Sequence, residues 1–194
     1  MSEYLLSLIL SFGYVGLGLL VFAESGLFFG FFLPGDSVLF SAGLLAAQGT
    51  FNIWILVPLI VICAIVGDQV GYWFGARVGP ALFTRPDSFL FKKKRLEETR
   101  AYFEKYGPLT IVLARFIPAV RTFAPILAGV GNMRYSLFVR YNILGGVLWG
   151  AGMTLLGYVL GSVIPDIERY ILPIIALIIG VSALPPLMQW WKHR

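Results

Sequence analysis

Five ionisable side chains stand in a chain that is otherwise apolar around them: Glu24, Asp36, Asp68, Arg115 and Arg121. Three acids and two bases can partly neutralise one another, which lowers the cost of holding them in hydrocarbon. The guanidiniums stay charged, and their planar forks match phosphate and carboxylate oxygens. Arg115 and Arg121 are therefore the candidate substrate-binding groups, for an anion. Glu24, Asp36 and Asp68 are the candidate proton-coupling groups. Glu24 ends a long apolar run and has no basic residue near it in sequence, which suits a proton carrier. Asp36 follows Pro34-Gly35 and has a second use, capping a helix that starts at Ser37. The same five residues would also serve as a buried ion-pair cluster that only fixes the packing of helices.

The two arginines fall within one stretch, residues 113–129, that also holds Pro118 and Pro125. An arginine at mid-bilayer costs roughly 2.5–3.5 kcal/mol on insertion scales. Prolines break helices and free backbone carbonyls, and broken backbone at that depth survives only against protein or a water-filled cavity. A polar cavity accounts for both features together. On an unbroken helix the two arginines would point about 120° apart, whereas a break at Pro118 can bring both into one pocket. The flanks Leu109–Leu113 and Phe123–Val130 are too apolar for a solvated loop.

The whole chain agrees with a membrane setting. Of its 194 residues 58% are hydrophobic and 13% charged, and the mean hydropathy is +0.83. Those values lie outside the range of soluble domains and predict one polytopic membrane domain over residues 1–194. The net charge of +5 is unevenly placed. Arg77 is the first basic residue, and Arg85, Lys92, Lys93, Lys94, Arg95, Arg100 and Lys105 follow closely. The positive-inside rule puts that segment in the cytoplasm. Its apolar flanks argue against a nucleic-acid patch. Cys63 is the only cysteine and His193 the only histidine, so neither an intrachain disulfide nor a cysteine-based metal site is expected, and no cofactor. The amino terminus lacks the positive region of a cleavable signal peptide.

The elements that must position the charged residues follow from the apolar runs. Four spanning helices are expected, at Tyr4–Ala23, Phe51–Val78, Ser136–Gly161 and Tyr170–Trp191. Gly26–Ala47 is interrupted near Pro34-Gly35 and reads as a re-entrant hairpin, with an interfacial loop as the alternative. The stretch around Pro118 reads as a second hairpin, closed by Gly131-Asn132. Ser88–Tyr106 reads as an amphipathic helix on the cytoplasmic surface. Gly67, Gly71, Gly75 and Gly79 make a small face for close packing, as do Gly146 with Gly150 and Gly157 with Gly161.

A weak internal repeat is visible. Ala42-Gly43 recurs as Ala128-Gly129, and Gly71-Tyr72 with Gly75 recurs as Gly157-Tyr158 with Gly161. One full crossing between the two hairpins inverts the second copy. The fold expected is thus an all-α inverted repeat whose hairpins enter from opposite faces, with both termini cytoplasmic.

Enzymatic readings fit poorly. An intramembrane aspartyl protease needs Gly-x-Gly-Asp, and neither Leu33-Pro34-Gly35-Asp36 nor Ile65-Val66-Gly67-Asp68 provides it. The single histidine, in a basic tail, removes serine–histidine chemistry.

Phe-Leu-Pro-Gly-Asp at 32–36, preceded by Glu24-Ser25, resembles the first signature of the DedA family, also described as the VTT-domain or SNARE-associated family. The long stretch 113–129 resembles the second, and Ile-Val-Gly-Asp at 65–68 and Tyr141-Asn142 agree. The resemblance covers nearly the whole chain. It implies a multi-pass protein of the bacterial inner membrane that moves phospholipids or undecaprenyl phosphate between leaflets, linked to the proton-motive force. It also implies dependence on the acidic pair, here Glu24 and Asp36, and on the arginine pair, here Arg115 and Arg121. The expected partners are a lipid phosphate head group and protons or another coupling cation. Two alternatives stay open: a proton-coupled antiporter of a small solute, and a membrane-assembly protein. The lipid, the coupling ion and the oligomeric state, a homo-oligomer included, do not follow from the motifs.

Overall fold

The computed structural model describes residues 2–26, 35–83 and 106–164. Helices account for nearly all of them, and there is no strand among the described residues. In chain order they are α1 (Ser2–Gly26), α2 (Gly35–Ala47), α3 (Ile53–Phe83), α4 (Leu109–Ala114), α5 (Pro118–Val130) and α6 (Tyr135–Gly146). A π-helical turn, Val147–Ala151, then leads into α7 (Gly152–Val163). The helices expected at Tyr4–Ala23, Phe51–Val78 and Ser136–Gly161 fall within α1, within α3 and its lead-in, and within the run from α6 to α7. The tip of the first expected hairpin, nearly all of the amphipathic segment, the final span and the outermost ends of the chain lie outside the described residues.

Ile53–Val78 and Tyr135–Val163 have 26 and 29 residues and mean hydropathies of 2.3 and 1.7. At 1.5 Å per residue each is long enough for a hydrocarbon core of about 30 Å. Gly35–Ala47 and Val120–Val130 are apolar but too short to cross alone. The helices turn large apolar side chains outward, with Trp54 85% and Val163 71% exposed. Outward faces of this kind suit lipid better than water.

Local chemistry sets the breaks. Asn52 opens α3 by accepting the Trp54 N–H on its side-chain oxygen at 2.9 Å. Ile117 is extended (φ −115°, ψ 106°), as a residue before proline tends to be, and Pro118 opens α5, where its missing N–H is not needed. The second arm ends at Gly131-Asn132, with Asn132 in the left-handed region (φ 56°).

Helix α2 packs mainly on α7, and α5 mainly on α3. Both contacts are backbone to backbone. A Cβ on Gly43 would strike the Thr154 carbonyl, and one on Gly157 the Phe40 carbonyl. Across the other interface, a Cβ on Gly129 would strike the Tyr72 carbonyl, and one on Gly75 the Ile126 carbonyl. Gly43 therefore answers to Gly129, as the sequence repeat suggests. Gly157, however, answers to Gly75, one helical turn along from the Gly71 that letter matching selects. Close approach depends on which glycine faces a partner carbonyl, and matching of small residues does not detect that.

Two apolar clusters bracket the middle of the bundle. One gathers Val21, Leu39, Leu56, Ile60, Ala64 and Trp149, and the other Tyr72, Ile111, Ala128 and Phe138. Ala64, Asp68 and Tyr72 succeed one another at four-residue steps on one face of α3, so Asp68 lies between the clusters. Asp68 is also the central residue of the 31-residue α3, about 22 Å from either end at 1.5 Å per residue.

Candidate functional site

Breaking the chain between α4 and α5 gives the two arginines separate positions. Arg115 follows the last residue of α4, and Arg121 sits in the first turn of α5. Both are buried, at 3% and 7% exposure. Each finds its own carboxylates.

Arg121 holds Glu24, at the end of α1, and Asp36, in the first turn of α2. It pairs with Glu24 Oε1 through Nη2 and with Asp36 Oδ1 through Nη1 at 2.6 Å. Glu24 Oε1 also accepts the Gly35 N–H at 3.1 Å, and any Cβ at Gly35 would collide with this carboxylate. Asp36 Oδ1 accepts the indole N–H of Trp149 at 2.7 Å. The Arg121 guanidinium lies over the Trp149 ring, 4.8 Å from its centre. Glu24 is fully enclosed, whereas the Asp36 side chain is 39% exposed. The cluster thus opens on the Asp36 side. Asp36 lies inside the first turn of α2, and its carboxylate is turned to Arg121 and Trp149, while its charge still suits the helix amino terminus.

Arg115 holds Asp68 and Asn142. Its Nη2 donates to Asp68 Oδ2 and to Asn142 Oδ1, both at 2.5 Å. The Asn142 amide donates in turn to the Ile65 carbonyl at 3.1 Å, clamping α6 to α3. Gly145 and Gly146 leave room for the Arg115 side chain against α6.

All five residues singled out in the sequence are therefore held in ion pairs at the centre of the bundle. They form two groups, Glu24–Asp36–Arg121 and Asp68–Arg115, rather than one pocket shared by both arginines. Asn142 and Trp149 complete the groups. Neutral polar and aromatic residues within an apolar run carry no sequence signal of a charged partner, although Asn142 belongs to the Tyr-Asn pair that resembles the family pattern. Four side-chain polar atoms are buried without a hydrogen-bond partner among the described residues: Glu24 Oε2, Arg115 Nε and Thr122 Oγ1 in or beside the charged groups, and Gln48 Nε2 after the end of α2. Among those residues no group of histidine, cysteine and acidic side chains has the makings of a metal site.

Comparison with known proteins places this arrangement. The VTT domain model matches residues 33–159, from just before α2 into α7. An uncharacterized membrane protein of Mycobacterium tuberculosis, Rv0364, is 50% identical over 176 residues, covering 90% of this chain and 77% of the relative. Protein DedA of Escherichia coli K12 is 44% identical over 183 residues, 93% of this chain and 83% of the relative. The inner membrane protein YqjA of the same strain is 31% identical over 192 residues, 93% and 85% of the two chains. No solved structure matches. With one continuous match over most of the chain, and with relatives that share nearly the whole of it, the protein belongs to the VTT-domain, or DedA, family of integral membrane proteins.

Proposed function

We propose that the chain carries an anionic lipid head group, a phospholipid or a polyprenyl phosphate such as undecaprenyl phosphate, between the leaflets of a bacterial inner membrane. Arg121 and Arg115 are the phosphate ligands. The observation that carries this reading is Arg121 itself, a buried guanidinium matched by two carboxylates on a cluster that opens at Asp36. An entering phosphate can replace those carboxylates in kind, because it offers the same oxygen acceptors to the same planar fork. The unpartnered Nε of Arg115 and hydroxyl of Thr122 supply further donors. Three carboxylates against two guanidiniums leave one negative charge in excess when all are ionised. A proton is the smallest counter-charge, which supports coupling through Glu24, Asp36 and Asp68.

The membrane arrangement that serves this function is an inverted repeat. The reciprocal packing of α2 on α7 and α5 on α3 supports it, with α1 as a spanning helix and with Gly26–Ala47, which includes α2, and α4–α5 as the two re-entrant hairpins that meet at the charged layer. Both termini face the cytoplasm in this reading. A scaffold reading also has an observation in its favour, since both arginines are already paired. The separating experiment reconstitutes the chain into vesicles that carry labelled phosphatidylglycerol or polyprenyl phosphate in one leaflet, with and without a pH gradient. Accelerated exchange of the anionic lipid supports transport. Vesicles that exchange no faster than protein-free ones return the chain to the antiporter or scaffold readings.

A further inference from the structure

Asp36 Oδ1 accepts two hydrogen bonds, from Arg121 Nη1 at 2.6 Å and from the Trp149 indole at 2.7 Å. Trp149 is 2% exposed and projects from the π-helical turn Val147–Ala151. Such turns occur mostly as local insertions in α-helices, frequently at functional sites. The doubled contact matters at the moment Arg121 changes partners. Glu24 has a second donor in the Gly35 N–H, and Asp36 has one in the indole. The guanidinium in turn keeps the ring face at 4.8 Å.

We infer that Trp149 is a positioning residue that retains Asp36 when Arg121 turns to an anionic head group, so that the exchange leaves each carboxylate a protein donor. This rests on Arg121 being the head-group ligand. Without the indole N–H, release of Arg121 would leave the Asp36 carboxylate with neither of these two protein donors and only water on its exposed side, and that cost opposes binding. Trp149→Phe, which keeps a ring face and loses the N–H, weakens binding of short-chain phosphatidic acid roughly ten-fold. In an Asp36→Ala background the same change has no further effect, because no carboxylate is left to strand. A tryptophan that only fills space would cost as much in both backgrounds.

The deciding measurement needs no ligand. The full chain is placed in lipid nanodiscs with its indole nitrogens isotopically labelled, and the Trp149 N–H signal is assigned by its loss in Trp149→Phe. Arg121→Gln mimics the departure of the guanidinium. Glu24→Gln with Arg121→Gln does so without leaving Glu24 unpaired, which guards against unfolding. The Trp149 signal stays at its hydrogen-bonded position in both, and moves in Asp36→Ala. If it moves in both Arg121 variants to the Asp36→Ala position, Asp36 does not stay with the indole and the inference is overturned. A wild type that fails to bind phosphatidic acid while its indole signal behaves as expected instead sinks the head-group reading alone.

Discussion

Arg115 Nη2 lies 2.5 Å from Asp68 Oδ2, tying the end of α4 to the centre of α3. Helix α4 has six residues, too few to be stable by itself, so its position depends on this pair and on the burial of Ile111 and Val112. Removing one partner leaves the other charge buried. Asp68→Ala is expected to cost about 3–5 kcal/mol, and replacing both charges, Arg115→Met with Asp68→Leu, to recover most of it. Thermal unfolding in detergent checks this. A single variant that melts with the wild type would show that the pair contributes little to the fold.

Asn142 joins Arg115 to the Ile65 carbonyl with full burial. Asn142→Leu keeps the volume roughly and removes one acceptor from Arg115, which Asp68 still holds, together with the side-chain clamp to α3, for an expected loss of about 1–3 kcal/mol. The same unfolding measurement reads it, with Ile143→Leu on the exposed side of α6 as the neutral comparison.

Glycine is required where two backbones touch. Gly129→Ala places a Cβ against the Tyr72 carbonyl, and Gly43→Ala places one against the Thr154 carbonyl. Backbone yields poorly, so each is expected to destabilise by about 1–3 kcal/mol. Gly16→Ala, which meets nothing within 4 Å, is expected to be neutral or slightly stabilising. Equal melting of all three variants would mean that the helices sit farther apart than described.

Glu24→Gln removes a titratable proton and keeps size and hydrogen bonding. In the vesicle assay it is expected to abolish the response to an imposed pH gradient while leaving slow passive exchange. A variant that still responds fully to the gradient would move proton coupling away from Glu24.

The break before Pro118 was legible because proline chemistry is local, and the charged residues because ionised groups are rare in apolar runs. Their division into two groups was not legible. Partners such as Glu24 and Arg121 are 97 residues apart, and spacing along a chain says nothing about which acid meets which base. Trp149 looked like any aromatic of an apolar helix, and its aim depends on a π turn that no residue type announces. The packing role of the glycine faces could be read, but the register between the two halves was off by one turn. Gly71 and Gly75 are equivalent as letters and differ only in what they face.

The central claim is that the arginines grip a phosphate, and lysine substitution tests it most directly. Lysine keeps the charge that a scaffold needs and loses the planar fork that holds two oxygens. Exchange of labelled anionic lipid in reconstituted vesicles is measured for wild type, Arg115→Lys and Arg121→Lys, each confirmed folded by its melting profile. Both variants are expected to insert normally and to lose most of the exchange, Arg121→Lys the more severely because that side chain holds two carboxylates at the open end of the site. Lipid exchange in both lysine variants equal to that of the wild type would contradict the account.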